Sequence, residues 1–338
     1  MNIIHFPIEI IYIIISYIND TNDYKNLRIT CQSLYYCMMK LKYFYNNGSI
    51  KSITSFYNHK LCGIHTSYTN DGILSCIIPF VNNKIDGNVR LYNEKNILIY
   101  SCHYFSNLKS GIEYIYYRNG LIPYNITTYL QHKKLGIEYK YYDNGCLYAE
   151  LKYKNGELNG ISNFLYLNGI TKYLVQYYNN ILDGICIGFY DNGHIKFSIY
   201  FIDGKCDGKA SYFYNTGMIF LKYSFKLDKM NGYQYEYHLN GKLKKMFMMK
   251  DGVFHGTFKM WNIDGKLELK CTYNNNKIVN RIYLYNKDTK YILQNEHYLT
   301  FKFTGNIQIY KNNKYKSLRI LEDRIDELLS GTLDDEIQ

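Results

Sequence analysis

Glycine recurs along this chain at a period that leaves room for little except repeated β-hairpins. The markers stand at Gly63, Gly87, Gly111, Gly136, Gly160, Gly184, Gly208, Gly232 and Gly256, with Asn280 in the same phase; one step is 25 residues and the others are 24. Nine places after a marker comes a second glycine, at Gly72, Gly120, Gly145, Gly169, Gly193, Gly217, Gly241 and Gly265, the exceptions being Asn96 and Thr289. Five places after a marker stands an aromatic ladder of Tyr68, Tyr92, Tyr116, Tyr141, Phe189, Phe213, Tyr237, Trp261 and Tyr285, broken only by Leu165. A repeat of this length cannot bury an apolar face alone, so about ten units must stack, each on its neighbours.

Each unit reads as strand, turn, strand, turn. Ile195, Phe197, Ile199 and Phe201 alternate with other residues at the period of a half-buried strand. The first turn carries Asn-Gly, as at Asn144-Gly145 and Asn192-Gly193, and the second reads as looser, as at Asn155-Gly156 and Asp203-Gly204. Facing residues of a hairpin share one side of the sheet, which predicts a bulged first turn that pairs Phe189 with Phe197 and sets its glycine in the left-handed region. The fold class is therefore mainly β: an elongated, twisted antiparallel sheet over residues 46–314. Its packed face is expected to carry the aromatic ladder. Tyr117, Tyr142, Tyr166, Tyr190 and Tyr214, one place further on, fall on the opposite face and are candidates for binding a partner.

The array needs caps at both ends. Residues 1–45 hold Pro7, Ile10, Ile11, Ile14 and Ile18 at helical spacing, then Asn19 to Asn22 as a break, then Leu27, Thr30, Cys31 and Leu34 as a second stripe. Over residues 315–338, Ile320, Leu321, Ile325, Leu328 and Leu329 line one helical face that Gly331 ends. The first apolar run, Ile10 to Ile18, is far shorter than the roughly 20 residues a membrane span needs. No Lys or Arg precedes it, which argues against a secretory leader. The nine cysteines form no CxxC pair, which points to reduced thiols and a cytoplasmic setting. The net charge of +11 is spread along the repeats, the pattern of a solvated surface, so no nucleic acid is expected as a partner.

The pattern G-x4-[YFW]-x2-[ND]-G, as in Gly136 to Gly145 and Gly184 to Gly193, resembles the MORN repeats in their longer-period variant. Such repeats serve as scaffolds, protein-binding platforms and suspected lipid-binding surfaces. The segment before the repeats resembles an F-box, on Pro7, Glu9, Ile10, Ile14, Ile18, Asp23, Leu27, Arg28, Cys31 and Leu34; Phe6 and Tyr24 depart from the family's leucines but stay apolar. That resemblance implies docking on the Skp-type linker of a cullin-RING ubiquitin ligase through Phe6, Pro7, Ile10, Ile14, Leu27, Cys31 and Leu34, with an unknown substrate protein held by the repeats. The combination is similar to proteins of giant DNA viruses, which places the expected role in host cytoplasm.

No HExxH, GxSxG, Walker-type or GxGxxG motif occurs, and the nine histidines fall singly, so no enzyme, cofactor or metal is expected. The first expectation is thus an interaction adaptor. The alternative is a structural scaffold or a module on an anionic membrane surface, with the N-terminal helices serving only as a cap.

Overall fold

The computed structural model describes residues 39–279, 282–286 and 289–293. The N-terminal helices, the linker-facing residues and the C-terminal helix expected from sequence lie outside them. Every described element is a β-strand. The chain clusters as two bodies, one reaching to Lys229 and the other beginning at Met230.

In the first body the array starts a full unit ahead of the first glycine marker. Met39–Phe44 pairs antiparallel with Ile50–Tyr57 around a turn that holds Gly48 at φ +83°. Met39 occupies the phase of a marker, so the strands begin before residue 46, where the array was expected to start. The missing marker glycine hid this unit.

Counting each marker as position 0, one internal geometry recurs; in the 25-residue unit that opens at Gly111, residues after the extra one that follows Gly120 take the numbers of their counterparts in the 24-residue units. In the Gly184 unit, Ile181–Phe189 and Ile195–Ile202 are joined by a three-residue first loop. The Tyr190 N–H donates to the His194 carbonyl at 2.8 Å, and the Gly193 N–H to the Tyr190 carbonyl at 2.9 Å. Gly193 has φ +85°, the left-handed value that closes a bulged loop of this kind. The bulged turn is as expected; the register is not. Phe189 pairs with Ile195, and Phe197 pairs with Gly188, which leaves Lys196 at position 12 as a second bulge. The loop closes on Tyr190 and His194, and the bulge then slips the ladder by one residue. Phe197 is thereby returned to the side of the sheet that carries Cys186 and Gly188. Lys51, Tyr148, Lys172 and Phe220 are bulged in the same way.

The second turn is the tight one, contrary to expectation. Ile202 pairs with Lys205 across Asp203 and Gly204 alone, with φ of +48° and +73°. Two positive φ values make a type I′ turn, whose twist suits flanking strands and which Asn, Asp and Gly tolerate. Asn82-Asn83 and Asn179-Asn180 do the same. The marker glycine follows, also at positive φ. Gly184 has φ +111°, which favours glycine, and a Cβ there would meet the Gln176 amide at 2.4 Å, so that side chain would have to swing away.

The packed face is built from columns other than the aromatic ladder. Position 2 pairs with position 15 in the units up to the one that opens at Gly256: Glu138 with Leu151, Ser162 with Val175, Cys186 with Ile199. Position 15 then pairs with position 2 of the next unit, as Val175 with Cys186 and Ile199 with Ala210. The row so formed is buried, down to 0–2% exposure at Ser162, Cys186, Ile199 and Ala210. Beside it, position 17 faces the marker glycine. Gly63 pairs with Phe80, Gly111 with Tyr129, Gly160 with Tyr177 and Gly184 with Phe201. A ring laid over a glycine covers backbone that has no side chain of its own. Position 17 is thus the inner aromatic column. The ladder predicted to form the core, at position 5, is half-buried at all its described side chains and lies on the other side of the sheet. Strand alternation assigns it there, since positions 2 and 4 face inward.

The second body repeats the pattern in two hairpins, Gly232–Tyr237 with Leu243–Lys250 and Val253–Trp261 with Leu267–Asn274, whereas Ile282–Asn286 pairs with Thr289–Leu293 without a bulge, Ile282 facing Leu293. Its inner row runs through Gln234, Phe247, Phe258 and Cys271, all buried. Phe247, Phe254, Phe258 and Tyr273 pack ring on ring, with centroids 5.1 to 6.2 Å apart. Each fully buried ring of this kind contributes about 1.5–3 kcal/mol.

Candidate interaction surface

The tyrosines proposed from sequence as binding residues sit one place past the ladder, where the strand enters the first loop. There they bind the next unit. The Tyr117 hydroxyl donates to the Tyr141 carbonyl at 2.7 Å, Tyr142 to Leu165 at 3.1 Å, Tyr166 to Phe189 at 2.9 Å and Tyr190 to Phe213 at 2.8 Å. The bulged residue at position 12 covers each ring. Tyr124 and Tyr148 pack against Tyr117 and Tyr142, Phe220 against Tyr214, and the ammonium groups of Lys172 and Lys196 lie over Tyr166 and Tyr190. Burial pushes the Tyr117, Tyr142, Tyr166 and Tyr190 hydroxyls above the usual phenol range. These four side chains therefore staple unit to unit. Tyr45, in the unit hidden from the glycine count, does likewise to the Tyr68 carbonyl at 2.9 Å.

Of the ladder, Tyr68, Tyr92, Tyr116, Tyr141, Phe189, Phe213, Tyr237 and Trp261 are half-buried, and Tyr285 lies in the strand Ile282–Asn286. Their cross-strand partners are aliphatic where Tyr68 meets Leu74, Tyr141 meets Leu147 and Trp261 meets Leu267. Phe6, Pro7, Ile10, Ile14, Leu27, Cys31 and Leu34 lie outside the described residues.

The inner row contains one charged island. Position 2 and the position 22 that precedes it are uncharged in most units, as with Ile85 and Val89. In two consecutive units they change together, to Lys109 with Glu113 and Lys134 with Glu138. Lys134 Nζ donates to Glu138 Oε1 at 2.8 Å, and Asn125 Nδ2 and Thr127 Oγ1 reach the same oxygen at 2.8 and 3.1 Å. The Lys134 ammonium also lies 4.7 Å from the Tyr153 ring, and that of Lys109 4.9 Å from Tyr129. Burial pushes the Glu138 carboxyl up, but the Lys134 charge and the hydrogen bonds outweigh it and hold the group below the usual carboxylate range. Burial pulls Lys109 down, and its bond to Glu113 overcomes that and holds it above the usual range. Each carboxylate is matched by its own ammonium, an arrangement that neutralises charge. Among the described residues no cluster of three or more His, Cys, Asp or Glu is placed to hold a metal ion.

The solvent side of the first body has a different chemistry, which no sequence motif marks. The last residue before each second turn is apolar and exposed at Tyr57, Val81, Phe105, Leu130, Tyr178 and Ile202. The neighbouring column, at position 1, exposes Ile64, Ile112, Ile137, Ile161 and Ile185. Across the second turn, Tyr57 pairs with Lys60, Val81 with Lys84, Leu130 with Lys133 and Ile202 with Lys205. Lys152 and Lys154 add to the same side, and Glu157 is its one carboxylate within the columns at positions 1, 16, 18 and 21 of the first body. The signal in the sequence is an apolar residue three places before a lysine, legible only once the second turn is counted as the two residues between them.

Comparison with known families fits this architecture. The family model described as a MORN repeat variant matches residues 134–155, 182–203, 230–251 and 254–275. The matched segments begin at Lys134, Leu182, Met230 and Phe254, each at position 22, and close in the following second turn. The chain thus carries MORN-type repeats between residues 134 and 275, and the units ahead of them share their turns. No curated protein matches the sequence. Among solved structures, the crystal structure of TcdB2-TccC3 is matched at 11% identity over 77% of this chain, with a TM-score of 0.19. The Tc holotoxin pore of Photorhabdus luminescens is matched at 11% identity over 73%, with a TM-score of 0.18. The chain spans only 15% and 14% of those two chains.

Proposed function

We propose that this protein is an interaction adaptor with no catalytic role of its own: its repeats hold a target protein while residues 1–38 engage the Skp-type linker of a cullin-RING ubiquitin ligase. The observation that carries the binding half is the solvent side of the first body, where exposed apolar and basic columns recur in register with the repeat. The linker half rests on the F-box-like order of Pro7, Glu9, Ile10, Ile14, Leu27, Arg28, Cys31 and Leu34. An adaptor of this kind acts in the cytoplasm, with its cysteines reduced, and in a viral setting the ligase is the host's. The test is a pull-down of the purified full-length chain and its Ile10→Asp/Ile14→Asp variant against the linker with its cullin. Capture by the parent alone supports the assignment, and capture by neither removes the linker from it. The basic columns also favour a second reading, a scaffold on an anionic membrane. Binding to phosphatidylserine vesicles that falls steeply with salt and ignores the Ile10→Asp/Ile14→Asp change supports that one.

A further inference from the structure

We propose that the exposed edge of the first body at the second turns is a docking track for an extended acidic polypeptide, which runs across the strands and meets one unit every three residues. The inference rests on the adaptor reading and names the chemistry of its target. Three observations carry it.

The first is charge. Lys60, Lys84, Lys133 and Lys205 are exposed beside their second turns, and Glu157 is the one carboxylate in the columns at positions 1, 16, 18 and 21; of the aspartates at the turns themselves, Asp86, Asp183, Asp207 and Asp228 each accept a backbone N–H, and Asp203 is exposed. Such a strip attracts a partner of opposite sign and does so at long range. The second is composition. Each of those lysines faces an exposed apolar residue across its turn, Tyr57, Val81, Leu130 or Ile202 in turn. An apolar strip rimmed by charge is the mark of an interaction site. The third is pitch. One unit advances the sheet by two strands, about 9.6 Å. A polyproline II segment has three residues per turn and rises about 9.3 Å over them. A polypeptide in that form therefore returns the same side of its helix to each successive unit. One carboxylate in three residues follows the column that holds Lys60, Lys84, Lys133 and Lys205, interrupted by Leu108, Glu157 and Ile181, and one apolar residue in three meets the column beside it. A lipid surface has no such period, and its headgroups would engage lysines regardless of spacing.

The probe is a fluorescein-labelled peptide of repeating Glu-Pro-Leu, used with the full-length chain and read by anisotropy. Peptides of 6, 12 and 18 residues are expected to bind progressively tighter, because each added triplet reaches another unit. A peptide of repeating Glu-Pro-Leu-Ser, which falls out of phase, is expected to bind at least tenfold more weakly at equal length. Lys60→Glu/Lys84→Glu/Lys133→Glu/Lys205→Glu is expected to lose at least tenfold in affinity while melting near the parent, since all four side chains are exposed. A Val81→Ser/Leu130→Ser form tests the apolar column without altering charge, with a smaller loss expected. Equal affinity for the two periods would overturn the track, as would a charge-reversed protein that binds like the parent. So would phosphatidylserine vesicles that capture the chain while no peptide does. Because the Ile10→Asp/Ile14→Asp protein keeps every repeat residue, its linker binding and peptide binding are scored separately, and either can fail alone.

Discussion

Replacing Lys134 by methionine tests how the sheet tolerates charge in its inner row. Glu138 is 1% exposed, and Lys134 supplies the one ammonium within a salt-bridge distance of it, at 2.8 Å. Removing one partner of a buried ion pair costs about 3–5 kcal/mol, because the other charge stays buried without compensation. For a body of this size that lowers Tm by roughly 6–20 °C. The protein itself supplies the repair. In the second body Met230 and Gln234 occupy the same two positions, exposed by only 4% and 0%. The Lys134→Met/Glu138→Gln form copies that pair, and its carboxamide oxygen still accepts from Asn125 and Thr127. It is expected within about 1 kcal/mol of the parent, as uncharged replacements of buried pairs commonly are. Circular dichroism melts of the parent, both single variants and the double give the coupling directly. The pH dependence has a definite sign. Glu138 titrates below its unfolded value in the parent, so the pair's stability is present above the unfolded carboxylate pKa and is lost as pH falls through the folded one. In Lys134→Met the deficit instead shrinks on acidification, because a protonated Glu138 no longer needs a cation. A Lys134→Met protein that melts within 2 °C of the double variant at pH 7 would refute the reasoning.

Other consequences are separable. Tyr166→Phe and Tyr190→Phe each remove one hydrogen bond between units and keep the ring under its lysine, so each is expected to cost about 0.5–1.5 kcal/mol, measured by denaturant midpoint. Gly184→Ala is expected to be worse than Gly169→Ala. Both have positive φ, but a Cβ meets Gln176 at 2.4 Å in the first and nothing within 4 Å in the second; Gln176→Ala should recover part of the difference in Tm. Cys146 is exposed, whereas burial pushes the Cys186 and Cys271 thiols up to about 12. In the native protein a disulfide reagent should therefore label Cys146 within minutes and leave the other two until the chain unfolds.

The period and the strand order were legible because glycine marks positions where positive φ is required, and φ is local. The register was not, because it depends on two bulges whose effects oppose. The sequence around Phe189 and Phe197 offers aromatic residues on both candidate faces, and hydrophobicity alone could not choose between them. The inner aromatic column at position 17 was in view throughout, at Phe80, Tyr104, Tyr129, Tyr153 and Tyr177. Its meaning depends on the marker glycine opposite, a cross-strand relation that no spacing along the chain displays. The tyrosines chosen as binding residues were identified by chemistry that suits an interface. The same amphipathic ring also suits a staple, and the carbonyl of the next unit, 23 or 24 residues on, takes the hydroxyl first.

This division of labour bears on where a partner can act. Positions 2, 4, 15, 17 and 22 hold a unit to its neighbours from inside, and position 6 does so at the loop, so a change at any of them is felt as stability. Positions 1, 18 and 21 carry large apolar and basic side chains that the sheet does not use. Exposed apolar groups lower solubility, and in an array they do so once per unit, at the same place each time. A chain under no demand at that edge would be expected to fill it with uncharged polar residues, as it does at Asn88. The apolar edge in most other units of the first body is thus the feature of this fold that packing does not account for. A partner with the period of the repeat, as proposed above, would account for it.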